Sequence, residues 1–129
     1  MMQFKELVAL ITSGSSTAWR TADICDEVWR EICRSDDADI RKACVMHKRV
    51  PSWVLEELIG DPAETVRFFV AMKRSLTNRQ IERLAADVEP SVRTRIALNR
   101  STPHTILLKL AQDPDDEVRE AANARMAVG

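Results

Sequence analysis

The feature that most constrains this chain is an internal repeat. Leu58-Ile59-Gly60-Asp61-Pro62, followed by Val66-Arg67, recurs as Leu84-Ala85-Ala86-Asp87-Val88 with Val92-Arg93. It recurs again as Leu110-Ala111-Gln112-Asp113-Pro114 with Val118-Arg119, each copy 26 positions after the last. The same step joins Leu55, Ile81 and Leu107, then Val70, Ile96 and Ala122. Extended backwards, it aligns Trp29 with Leu55, Ile32 with Leu58, Ile40-Arg41 with Val66-Arg67, and Cys44 with Val70. Four copies result, at about residues 25–50, 51–76, 77–102 and 103–128 of a repeat region spanning 25–129. A fixed period of this length marks supersecondary units that cannot bury their apolar faces alone and become stable by stacking.

Each copy holds two short segments with apolar residues at helical spacing. In the last copy these are Ile106, Leu107 and Leu110, then Val118, Ala121 and Ala122. Thr102-Pro103 predicts an N-cap followed by proline at the first helical position, and Thr77 with Gln80 predicts a capping box. The second helices are expected to begin near Asp37, Ala63, Glu89 and Asp115, where acidic side chains suit the positive end of a helix dipole. Upstream, Phe4, Leu7, Val8, Leu10 and Ile11 predict an amphipathic helix broken at Thr12-Ser13-Gly14-Ser15-Ser16, so residues 1–24 are expected to cap the exposed end of the stack. The expected fold is all-α: a short right-handed α-solenoid of about four 26-residue two-helix repeats with an N-terminal helical cap, together one structural domain.

Composition excludes several function classes. Charged residues make up 30% of the chain, yet the formal net charge is -1, so no global attraction to nucleic acid or anionic membrane is expected. The first residues lack the basic region and apolar run of a secretory signal, and no segment approaches the length of a membrane span; a cytoplasmic location is the expectation. Cys25, Cys33 and Cys44 are an odd number without a Cys-x-x-Cys pair, which argues for buried free thiols and against a disulfide framework or a zinc knuckle. His47 and His104 are the only histidines and belong to no metal-spaced or nucleophile-adjacent motif, so both are expected at the surface. No glycine-rich phosphate loop is present. Neither catalysis nor a metal or other cofactor is expected.

The pattern Leu-x-x-Leu-Ala-x-Asp-Pro, then Val-Arg, Ala-x-Asn and Thr-Pro resembles the variant leucine-rich repeat, a relative of HEAT and armadillo repeats. Its best copy runs from Val92-Arg93 through Ile96-Ala97-Leu98-Asn99 and Thr102-Pro103 to Leu110-Ala111-Gln112-Asp113-Pro114. The resemblance implies a scaffold on which binding sites are built. It also implies a structural ladder of Arg41, Arg67, Arg93 and Arg119 with the aspartates six residues before three of them, Asp61, Asp87 and Asp113. Ser35 replaces the aspartate in the first copy, leaving Arg41 as the member expected to be available for another role. Some members of the family carry an iron–sulfur cluster on an N-terminal cysteine-rich segment; the cysteines here lack clustered ligand spacing, and that cofactor is not carried over.

Acidic residues gather at the turn inside each copy (Asp36, Asp37, Asp61, Glu89, Asp115), and basic residues gather where one copy passes to the next (Lys48, Arg49, Lys73, Arg74, Arg100, Arg125). Trp53 aligns with Glu27, Arg79 and Thr105, and Phe68 aligns with Lys42, Thr94 and Glu120. Large rings in otherwise polar columns are expected to face solvent, where such groups mark interfaces. Trp53, Phe68, Lys73, Arg74, Arg100 and His47 are therefore the candidate partner-binding residues. The expected function is a non-catalytic protein-binding scaffold, of the kind that serves as a bacterial adaptor, regulator or toxin-neutralising protein. The alternative is a nucleic-acid-binding repeat protein gripping through the basic edge, which lacks interleaved stacking aromatics.

Overall fold

A computed structural model describes residues 1–14 and 17–128; Ser15 and Ser16 of the proposed N-terminal break, and Gly129 of the repeat region, lie outside the described residues. Among those described, the chain forms nine α-helices and one 3-10 turn, with no strand beyond an isolated bridge between Met2 and Ile24. The helices are α1 (Phe4–Ser13), α2 (Asp26–Cys33), α3 (Ala38–Val45), α4 (Ser52–Leu58), α5 (Glu64–Val70), α6 (Asn78–Ala85), α7 (Pro90–Leu98), α8 (His104–Leu110) and α9 (Asp116–Val128). The 3-10 turn, Ala18–Thr21, buries Trp19. No helix is long and apolar enough to cross a membrane. The chain divides into two compact units, Met1–Val66 and Arg67–Gly129, with the division falling inside α5.

In the first unit α1 packs on α2 and α3, and α2 on α3 and α4. Gly14, at φ 64°, ends α1 in the left-handed conformation that a residue without Cβ adopts freely. Leu7, Ile32, Val54, Leu55 and Leu58 are at most 2% exposed and form the interior with Trp29. In the second unit α6 packs on α7 and α8, and α7 and α8 both pack on α9. Ile81, Leu84, Val92, Ile96, Leu107 and Leu110 fill that interior. The aligned apolar columns Trp29, Leu55, Ile81, Leu107 and Ile32, Leu58, Leu84, Leu110 are thus buried, as apolar periodicity requires.

The helix starts follow local chemistry. Thr77 caps α6 as expected, with Gln80 N–H donating to its hydroxyl while the Gln80 side chain accepts from Thr77 N–H, at 3.2 and 3.0 Å. Replacing Thr77 with alanine is expected to cost about 1 kcal/mol, read as a lower urea midpoint; an unchanged midpoint would show that the box does not hold α6. The expectation for Thr102-Pro103 needs correction. Pro103 is itself the extended residue before α8, and the Thr102 hydroxyl donates to Ile96 O at 2.6 Å, tying the loop back to α7. Proline at the first turn occurs instead at Pro90 in α7.

Candidate functional site

The arginine column forms a ladder, but with different partners from those its spacing implied. Arg41 donates from Nε and Nη2 to the two carboxylate oxygens of Asp61, twenty residues on, at 2.7 and 3.2 Å. Arg67 holds Asp87 in the same way at 2.8 and 3.3 Å, and Arg93 holds Asp113 at 2.8 and 3.1 Å. The residue six positions earlier supplies only its backbone carbonyl: Ser35 O to Arg41, Asp87 O to Arg93, Asp113 O to Arg119. Because a carbonyl is all that position must offer, Ser35 is no defect, and Arg41 is fully engaged. The exception is Arg119, which pairs with Asp116 within its own helix and is 39% exposed at the side chain, against 11–13% for the other three. Each paired aspartate also accepts a backbone N–H two residues on, from Ala63, Glu89 or Asp115, which fixes the entry of the second helix. Burial alone would push the Asp113 carboxyl up, but Arg93 and the Asp115 N–H outweigh it and hold the group below the usual carboxylate range. This column is structural chemistry.

A second set of bonds joins the turns where one copy passes to the next. In the first unit His47 lies 2% exposed, with Nε2 bonded to Ala22 O at 2.8 Å and Nδ1 accepting the Arg49 N–H at 3.0 Å, edge-on to Trp29. The expectation of a surface histidine is therefore wrong: both ring nitrogens are satisfied by backbone, one locally by Arg49 N–H and the other by Ala22 O, which folding brings from 25 residues away. His104, by contrast, is exposed. In the second unit the Asn99 amide donates to Ala71 O and Lys73 O at 2.8 and 2.9 Å, Ser101 donates to Arg74 O at 2.7 Å, and Arg125 donates to Arg100 O at 2.9 Å. These bonds bring Lys73, Arg74 and Arg100 together on adjoining turns. Lys73 is half-buried; Arg74 and Arg100 project as exposed cations.

The two candidate rings are half-buried. In the first unit the Arg30 guanidinium lies 5.6 Å from the centre of the Trp53 ring, and in the second the Arg95 guanidinium lies 5.5 Å from that of Phe68, which is also edge-on to Phe69. A covered face lowers the area either ring can offer a partner. What is more exposed is a column that the sequence did not single out: Met46, Met72 and Leu98, one repeat step apart, are 37%, 43% and 45% exposed. Each is followed two residues later by a cation, Lys48, Arg74 or Arg100. Beside the last of these, in the second unit, a groove of about 330 Å³ is lined by Leu98, Arg100, Ala121, Ala124, Arg125 and Val128. A cleft of about 570 Å³ sharing Arg100, Arg125 and Val128 also takes in His104, Leu107 and Met126.

Among the described residues no cluster of histidine, cysteine, aspartate and glutamate could hold a metal ion. None of the three cysteines is in a disulfide, with Cys44 buried and Cys25 and Cys33 half-buried rather than in the core. Burial, then the neighbouring Glu57 carboxylate, pushes the Cys33 thiol up to about 12, which leaves it protonated and a poor nucleophile at neutral pH. The candidate site is therefore the exposed apolar-and-basic edge of the second unit, Met72 to Arg74 with Leu98 to Arg100 and the groove beside α9. No family model matches the chain, and comparison with curated proteins and with solved structures returns no match.

Proposed function

We propose that the chain is a non-catalytic, protein-binding helical-repeat scaffold, its 26-residue copies stacking as a short right-handed α-solenoid of the variant leucine-rich-repeat type. The stacking reading is supported by the rungs inside each unit, where Arg41 reaches Asp61 in one and Arg67 and Arg93 reach Asp87 and Asp113 in the other. The binding reading rests on one observation, the partly exposed apolar side chain at the same position of three successive copies, with a cation two residues on. Isolated apolar residues on a surface are ordinary, but in the second unit Met72 and Leu98 stand on adjoining turns joined by the Asn99 and Ser101 bonds and so offer one shared apolar surface. Its chemistry, apolar centre and cationic rim, suits another protein better than a phosphate backbone, which would leave the apolar side chains uncovered.

A photo-crosslinking residue placed at Met72 or Leu98, irradiated in lysate of the source cells, is expected to give a discrete protein adduct. The Met72→Ser, Leu98→Ser double variant is expected to weaken that complex at least tenfold, equivalent to about 1.4 kcal/mol, with the thermal midpoint unchanged. A nucleic-acid adduct, or salt-sensitive retardation of DNA by the purified chain, would overturn the reading in favour of the alternative.

A further inference from the structure

Arg95 stands apart from every other arginine on α7. Its neighbour Arg93 has a carboxylate and a carbonyl, whereas Arg95 makes no hydrogen bond and no ion pair among the described residues, although its Nε is buried. Its single contact of note is the Phe68 face beneath it. Arg20 also has a buried, unpartnered Nε, but it lies over its own neighbour Trp19 on the 3-10 turn, where among the described residues only the small Ala18 offers exposed apolar surface. A buried nitrogen of a cation without an acceptor is costly in the free protein, because water's hydrogen bonds are lost and none replaces them. The two terminal nitrogens of Arg95 likewise have no protein acceptor, yet they are not sealed from solvent. They offer an end-on fork for an incoming carboxylate.

The surroundings define what would carry that carboxylate. Leu98 follows Arg95 by three residues on the same face of α7, and the Asn99 amide, bound to Ala71 O and Lys73 O, holds the turn after α5 that carries Met72 against the end of that helix. One repeat step beyond Arg95 and Leu98 stand Ala121 and Ala124, whose small side chains help to open the groove of about 330 Å³ on that side. We propose that Arg95 is the anchor of a site for an acidic segment of a partner protein. The guanidinium takes an aspartate or glutamate carboxylate, and apolar residues flanking that acid lie on Met72, Leu98 and the alanine-floored groove. The proposal rests on the protein-binding reading above and adds to it the chemistry of the partner. Single-stranded nucleic acid fits less well, because the Phe68 face is already covered by the guanidinium and one fork does not track a backbone.

The test is selection of a random twelve-residue peptide library on the intact chain, followed by titration of enriched peptides against Arg95→Met, Arg95→Lys and, as a control for net charge, Arg79→Met. Enriched peptides are expected to share an acid next to an aliphatic or aromatic residue. Affinity is expected to fall at least tenfold in Arg95→Met, to fall less in Arg95→Lys, which keeps the charge but not the fork, and to hold in Arg79→Met. The thermal midpoint of Arg95→Met is expected to equal or exceed that of the parent, since the orphaned nitrogen is gone; a purely structural arginine would lower it. Peptides that bind without an acid and ignore Arg95→Met would overturn the carboxylate anchor while leaving the protein-binding reading intact. A lowered midpoint in Arg95→Met, or tighter binding of oligothymidylate than of any peptide, would overturn the anchor as well. Failure to enrich any peptide, together with no adduct at Met72 or Leu98, would overturn both.

Discussion

Replacing Arg93 with alanine is expected to lower the stability of the second unit by about 3–5 kcal/mol, the range for removing one partner of a buried ion pair. The reason lies in what remains. Asp113 is 8% exposed at its side chain and would keep its charge with one backbone N–H in place of a bidentate guanidinium, while Asp87 O would lose its donor. Asp113→Asn is expected to cost less, because the amide oxygen can still accept from Asp115 N–H. The carboxyl of Asp113 is held below its ordinary value, so its contribution is fully present above the unfolded carboxylate value of about 3.9 and is lost as pH falls through the lower folded value. The stability gap between the parent and Asp113→Asn should therefore narrow as the solution is acidified below that range. Urea unfolding at neutral and acid pH measures both effects; an Arg93→Ala midpoint equal to the parent's would show that the ladder does not stabilise the fold.

Leu84→Ala is expected to cost about 2–5 kcal/mol, the loss of transfer free energy plus the cavity left behind. Leu84 is 1% exposed and faces the interior where α6 meets α7 and α8, so neighbouring side chains cannot collapse into the space without moving three helices. Trp19, Trp29 and Trp53 all belong to the first unit, so far-UV circular dichroism, which reports the helices of both units, is the appropriate signal. A loss well under 1 kcal/mol would mean that the aligned leucine column is not a core column.

The sequence by itself determined the helical class, the 26-residue step and the aligned apolar columns that form the interior, because apolar side chains must recur with the helix period to share one interior and the repeat states that period several times over. It also determined where α6 starts, since Thr77 and Gln80 satisfy each other's backbone locally. Partner choice was decided by tertiary structure. Two regular columns, Arg67-Arg93 and Asp61-Asp87-Asp113, are compatible with a pairing six residues back or twenty ahead. Each aspartate is held at its second helix's entry by a backbone N–H, and folding places that turn against the arginine twenty residues before it. His47 was illegible for the same reason: nothing local marks a ring whose acceptor, Ala22 O, lies 25 residues away. The sequence did place Phe68 in a polar column, but only the packed helices lay Arg95 over it and left that guanidinium without an acceptor, because charge satisfaction depends on which groups folding brings within reach and no spacing rule encodes it.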